Sequence, residues 1–402
     1  MRFCPLLPSL VSVQKAWLGR SLSSDYFSNK SLPSKGFRAQ PVKCLAVMYS
    51  FIKADVPIST LTTFEIGGPA QWLAEPSTLE ELKQSILFAR EHAFNIFPIG
   101  CGSNILASDA GFKGLLIKPK MQKLTINTKN EEAIVEAQAG VIWDDLVAKT
   151  VEQDLAGLEC LSGIPGQVGA APVQNIGAYG QEAGHTIEQV QVIDLETLET
   201  LNLSASSCAF AYRTSNFKTA WKGRYIITSV TFKLKVHGQA TMRYQDLERF
   251  FADKVAADSA WRPTLAQVRQ AVLKVRASKS MLYDKADPNH RCAGSFYLNP
   301  IIPQAQAQQL KERWPNMPVY NTDNPEMCKI SAAWLVDNAG FHKGFRSGKA
   351  GVSSAHTLAL INPGQASAAD MLAFSDLVKA KVKEVFHIQL KPEPIMLGFS
   401  DH

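Results

Sequence analysis

From Ser162 to Gly180 the chain reads SGIPGQVGAAPVQNIGAYG, with five glycines, two prolines and no charged residue. A solvated loop of that length carries charges, so an uncharged loop of special conformation implies backbone packed against something. A long, flat ligand with polar ends would satisfy it. A shorter upstream segment has a related character: Pro98-Ile99-Gly100-Cys101-Gly102-Ser103-Asn104-Ile105-Leu106 sets two glycines and two small polar residues directly after an apolar run. Glycine permits positive φ and close approach, and successive N–H groups then form a concave anion nest that suits a diphosphate. Taken alone, this turn reads equally well as an ordinary connection. It is not the dinucleotide fingerprint, because Ile105 stands where a third glycine belongs, and it is not a P-loop, because no Gly-Lys-Ser/Thr follows.

Around these glycines the hydrophobic period switches between helix and strand, which gives an α+β class. Ser77 and Glu80 predict a capping box before a helix with Leu79, Leu82, Ile86 and Leu87 on its apolar face, and Ile96 to Ile99 reads as a buried strand. Gly114 to Lys118 and Ala133 to Ala137 read as strands, and Trp143, Leu146, Val147 and Val151 mark a second amphipathic helix. Ile187 to Asp194 and Tyr225 to Val236 alternate with the two-residue period of strands. Beyond Val236 a charged stretch with Pro263 leads to a helix presenting Leu265, Val268, Val272 and Val275, and a further domain is expected to begin near there. It would hold a loop at 286–300, helices near 330–338 and 368–386, and a terminal strand around Ile388 to Met396.

The length of 402 residues suits two or three domains. The formal charge of +6 resides in residues 1–47, where Arg2, Lys15, Arg20, Lys30, Lys35, Arg38 and Lys43 face only Asp25. The remainder is balanced, so no nucleic-acid partner is expected. Residues 1–47 are also rich in serine and lack a regular apolar period, like a plastid or mitochondrial transit peptide. An overlong leading segment or tail, with Met48 as the functional start, fits them too. No apolar run reaches the roughly 18–20 residues of a membrane span, so a soluble, cytoplasmic protein is expected. Seven cysteines without a CxxC pair point to reduced thiols, and eight scattered histidines without ligand spacing point to no metal.

Gly102-Ser103-Asn104-Ile105-Leu106, followed by the whole Ser162–Gly180 segment, resembles the UDP-N-acetylenolpyruvoylglucosamine reductase (MurB) family. The resemblance continues through Ala211-Tyr212-Arg213-Thr214-Ser215, Ala293-Gly294-Ser295-Phe296, Ala333-Trp334-Leu335-Val336-Asp337 and Pro392-Glu393, and covers residues 58–400. The Tyr244 region and the QNIGAYGQE stretch look like the family's first type. This resemblance implies an FAD-binding domain of the PCMH (vanillyl-alcohol-oxidase-like) type over 58–236 and a C-terminal α+β substrate-binding domain over 260–400. FAD contacts are then expected from Gly100, Cys101, Gly102, Ser103 and Asn104, and from Gly163, Ile164, Pro165, Gly169, Ala170, Asn175, Ile176, Gly177 and Ala178. The first loop has no histidine, so the FAD is expected to be non-covalent, with Cys101 the one candidate for attachment.

The activity implied is NADPH-dependent reduction of a UDP-linked enolpyruvyl sugar for peptidoglycan, by a monomer. Negative charge develops on the substrate carboxylate, which calls for fixed donors. The resemblance assigns these to the Arg213 cation and a neutral Glu393 acid, and the proton donor to Ser295. Tyr244, Lys279 and Asn299 match the family's diphosphate contacts. Read without the family, Arg213 suits a structural arginine, Glu393 a surface acid, Ser295 a turn residue and Lys279 a solvated helix end. Ile395 and Leu298 stand where the family carries basic residues, and 280–292 differs in sequence, which leaves diphosphate affinity less secure. An FAD oxidase of the same fold and a catalytically decayed FAD-binding copy are the competing readings.

Overall fold

The computed structural model describes residues 50–399; the readings made for residues 1–47 lie outside them. Strands of two sheets line the same cavity as the glycine segments. In the first, Ile52–Pro57 pairs antiparallel with Pro69–Ala74, which is followed in parallel by Phe112–Ile117 and Ile96–Pro98. The helix Leu79–Glu91 leads from one parallel strand to the next, and its Phe88 packs edge-on against Trp72 at 5.2 Å. Its start corrects the expected capping box: Thr78, the last residue with extended backbone, accepts from the Glu81 N–H at 3.1 Å, and Glu81 reaches back to the Ser77 N–H at 2.6 Å. Leu87, expected inside, is 49% exposed, because the Trp72 contact turns Phe88 inward instead.

The second sheet is antiparallel, in the order Thr200–Ser204, Ile187–Asp194, Tyr225–Val236, Glu132–Gln138, Leu124–Lys129, with Leu155–Ala156 added at the far end of the central strand. The central strand alternates only beyond Val230. Ile226 to Val230 are buried without interruption, since both faces of the sheet are covered there. Trp143–Glu152 packs across this sheet as its period predicts, with the fully buried Trp143 ring edge-on to Phe232 at 5.9 Å.

The helix Leu265–Ser278 begins with a capping box made by Thr264 and Gln267 and buries Val268, Ala271 and Val272 against Cys160, Tyr179 and Leu247. It thus packs on the glycine-bearing half, although it lies beyond the expected boundary. The later segments surround the helix Ala368–Phe386 with two three-stranded sheets, Ile301–Pro303 with Met327–Ile330 and Val319–Asn321, and Arg346–Ser347 with Ala350–Val352 and Leu360–Ile361. The terminal strand is shorter than expected. Pro392 and Pro394 have no N–H to give a ladder, so regular pairing begins only at Ile395–Leu397. That strand runs parallel to Ile105–Ala107, in register Ile395 to Ile105, and returns the end of the chain to the first glycine turn.

Among the described residues Trp143 is the largest fully buried side chain, and its indole N–H donates to the Leu161 carbonyl at 3.0 Å, just ahead of the glycine-rich segment. Trp143→Ala is expected to destabilise the fold by about 3–5 kcal/mol, read as a lower urea midpoint. A loss below about 1 kcal/mol would mean that this region closes over the cavity without strain.

Candidate active site

The first glycine turn is held by close backbone contact. Gly102 has φ +60, and a Cβ there would stand 2.1 Å from the Leu61 carbonyl oxygen, so no other residue fits without displacing backbone. The two glycine segments clasp each other: Ser103 Oγ donates to the Pro165 carbonyl at 2.7 Å, and Asn104 Nδ2 donates to Gln174 Oε1 at 2.7 Å. Together they wall a cavity of about 780 Å³. Of the fourteen positions expected to meet a cofactor, Gly163 and Asn175 lie outside the lining and the others face it.

Those two positions build the wall from behind. The Gly163 N–H donates to Asp144 Oδ1 at 2.6 Å, and Asp144 also pairs with Arg269. Asn175, fully buried, donates through Nδ2 to Glu182 at 2.7 Å and to the Ala211 carbonyl at 3.2 Å, and accepts from the Gly184 N–H at 2.8 Å. The bond to Ala211 carries the next motif. Ala211 and Thr214 exchange both backbone hydrogen bonds at 3.1 Å, making a tight turn with Tyr212 and Arg213 at its tip. Ser215 fixes the far side of the turn by donating to the Val173 carbonyl at 2.7 Å.

Arg213 pays for its position with a left-handed backbone, φ 55, which costs a non-glycine residue roughly 1–2 kcal/mol. In return its guanidinium Nη2 donates to the Gly177 carbonyl at 2.6 Å, and Nε lies 3.4 Å from Glu393 Oε1. Gly177 makes room for it: an added Cβ would meet the guanidinium Nη1 at 2.9 Å and the Gln181 carbonyl oxygen at 2.9 Å. Glu393 arrives with the terminal segment, its N–H donating to the Phe296 carbonyl at 2.9 Å. Ser295 is the residue before Phe296, so the acid is tied to the segment that carries the serine. Arg213, Ser295 and Glu393 all line the cavity. The Ser295 hydroxyl makes no hydrogen bond among the described residues.

Burial raises the Glu393 carboxyl above the ordinary range, and the Arg213 and Lys218 cations draw it back only part of the way. The net shift is upward, towards the protonated, donating form. The Cys292 thiol is also pushed up by burial, which fits packing rather than nucleophilic use. Of the expected diphosphate contacts, Tyr244 and Lys279 face the cavity mouth, with the Tyr244 ring edge-on to Tyr179 at 5.2 Å and Lys279 Nζ 2.5 Å from Asp246 Oδ2. Asn299 is not brought to the lining; its Oδ1 accepts from the Ala332 N–H at 2.9 Å and caps the helix Ala332–Asn338.

The cavity also has residues that sequence patterns did not single out. Lys218 lines it, three residues beyond the turn-fixing Ser215. His356 lines it beside Lys279, with Nδ1 accepting from the Leu358 N–H at 3.1 Å. Burial, and then the Lys279 and Lys343 ammoniums, push this imidazole down to about 4, so it is neutral at pH 7. Nothing in the sequence around Lys218 or His356 marks either residue as part of a site.

Comparison with known proteins agrees with the geometry. Residues 287–397 match the model of the UDP-N-acetylenolpyruvoylglucosamine reductase C-terminal domain, and residues 70–203 match an FAD binding domain. The chain is 39% identical over 353 residues to the UDP-N-acetylenolpyruvoylglucosamine reductase of Thermobifida fusca, covering 86% of this chain and 97% of that protein. It is 40% identical over 345 residues to the reductase of the same name from Alcanivorax borkumensis, covering 85% and 95%. The crystal structure of UDP-N-acetylenolpyruvylglucosamine reductase from Thermus caldophilus aligns with a TM-score of 0.59 at 25% identity, over 86% of this chain and 100% of that one.

Gly177→Ala tests how the arginine is seated. Its methyl should push the guanidinium away from Glu393, so the carboxyl loses its nearest cation and its pKa rises further. A ¹³C NMR titration of labelled glutamate, assigned with Glu393→Gln, would read the upward shift. An unchanged midpoint would show that the arginine stays in place.

Proposed function

The chain belongs to the UDP-N-acetylenolpyruvoylglucosamine reductase family, and from that membership we propose that it reduces UDP-N-acetylglucosamine enolpyruvate to UDP-N-acetylmuramate for peptidoglycan, with NADPH as electron donor. It is a flavin-dependent oxidoreductase, and its FAD-binding half is of the PCMH type, joined to a C-terminal α+β part. We read 58–236, with the helix Leu265–Ser278 packed on it, as the cofactor domain and the rest of 260–400 as the substrate domain. The residues present suit FAD. A Cβ added at Gly166 would meet nothing nearer than Ser103 Oγ at 3.7 Å, and Gly166 lines the cavity that both segments wall. Gly100 to Asn104, and Ile164, Pro165, Gly169, Ala170 and Ile176 to Ala178, would hold the cofactor there, without a covalent bond. When bound, FAD supplies the hydride for the terminal methylene carbon and takes it from NADPH.

One observation carries the reading: Arg213, Ser295 and Glu393, remote in sequence, face a single cavity walled by both glycine segments. As the methylene becomes a methyl group, negative charge spreads onto the substrate carboxylate. The Arg213 guanidinium attracts that charge, and the neutral Glu393 carboxyl donates a hydrogen bond to it. The Ser295 hydroxyl, free of other described partners, gives its proton to the ether-bearing carbon and regains one from solvent. A hydroxyl is suited to this because it cannot arrive already deprotonated near pH 7. Tyr244 and Lys279 bind the UDP diphosphate at the mouth, while Asn299 stays on the Ala332 N–H. We take the protein to act as a monomer in the cytoplasm, or in a plastid or mitochondrion where residues 1–47 direct it there.

Purified holoprotein decides between the readings. NADPH should bleach the flavin absorbance, and the enolpyruvyl sugar should restore it while oxygen does so only slowly. Flavin left oxidised by NADPH overturns the proposal, and rapid re-oxidation by oxygen favours an oxidase of the same fold. Ser295→Ala should keep flavin reduction near normal and slow sugar turnover by about 10²–10⁴-fold. Equal losses in both half-reactions would make Ser295 structural.

A further inference from the structure

Lys218 is a cavity cation without a part in the steps above. It follows the buried Phe217, whose ring packs edge-on against Trp221 at 5.4 Å, and its own N–H donates to the Ser215 carbonyl at 3.0 Å. The residue is therefore fixed at its base. Its side chain turns back rather than out to solvent: Nζ donates to the Arg213 carbonyl at 3.2 Å, and the residue lines the cavity. Among the described residues no carboxylate lies within 4.0 Å of the ammonium. Burial lowers the Lys218 pKa, Glu393 raises it and Arg213 lowers it again. A solvated lysine would avoid such a place.

We propose that Lys218 is a positioning residue of this site: it caps the Arg213 carbonyl, fixing the left-handed turn that aims the guanidinium, and it sets a second positive charge against Glu393. The effect on rate rests on the reductase reading; the effect on Glu393 does not. The charged or titratable groups that face Glu393 are Arg213, Lys218 and the Tyr212 phenol. Two cations there have distinct tasks. Arg213 meets the developing charge, while Lys218 keeps the acid from becoming too weak a donor by opposing the effect of burial. The sign follows directly. Activity that needs a neutral Glu393 declines as pH rises through its pKa, so removing Lys218 should carry that alkaline limb to higher pH while the misaimed arginine lowers the rate.

The test compares wild-type, Lys218→Met and Lys218→Arg holoenzymes. Lys218→Met should raise the Glu393 midpoint by about one pH unit in a ¹³C NMR titration of the resting enzyme. It should move the alkaline limb of kcat the same way and lower kcat about tenfold, with KM changed less than about threefold. Lys218→Arg should return both midpoint and limb towards wild type. An unmoved midpoint, or a fall in kcat with the limb in place, overturns the proposal and leaves Lys218 a packing residue. If Lys218→Met does not retain FAD, Lys218→Gln is read by the same criteria. Should wild type fail to turn over the sugar, the reductase reading fails, yet the NMR midpoint still decides the role of Lys218.

Discussion

The Arg213 guanidinium, on the Gly177 carbonyl at 2.6 Å and 3.4 Å from Glu393, joins three parts of the chain that lie far apart in sequence. Hydrogen bonds to a charged group contribute about 1.5–3 kcal/mol each, enough to offset the left-handed backbone at Arg213. The glycine-rich segment provides the carbonyl, hangs the arginine turn through Asn175 and Val173, and leaves space for the guanidinium at Gly177. A charged side chain at Gly177 would have to be seated against the guanidinium. At that position the uncharged composition answers to the protein's own arginine.

The terminal segment completes the arrangement. Parallel pairing of Ile395–Leu397 with Ile105–Ala107 brings Glu393 to the first glycine turn, where the Ile395 N–H donates to the Asn104 carbonyl at 2.9 Å. Glu393 in turn donates its N–H to the carbonyl of Phe296, the residue after Ser295. Glycine turn, serine and acid are consequently held around one cavity by a few backbone contacts, and burial there raises the Glu393 carboxyl.

Much of this was legible in the sequence. Ile187–Asp194 and Tyr225–Val236 have the bounds that alternation implied, and the motifs at 213, 295 and 393 do converge on one cavity. What the sequence hid depends on three-dimensional partners. Thr78 caps rather than Ser77 because backbone conformation, not residue type, chooses between adjacent hydroxyls. Phe88 displaces Leu87 from the core because Trp72 lies across the helix. Asn175 has the residue type of a ligand contact but spends its amide on Glu182, Ala211 and Gly184. Lys218 reads as a surface lysine until the 211–214 turn folds back and presents the Arg213 carbonyl to it.

The central claim is that a fixed serine protonates one face of a carbon held against Arg213 and Glu393. Reducing the enolpyruvyl sugar in D₂O and examining the product by NMR tests it most directly. The account predicts a single deuterium on the ether-bearing carbon, in one configuration only. Protium at that carbon, or deuterium in both configurations, would contradict it.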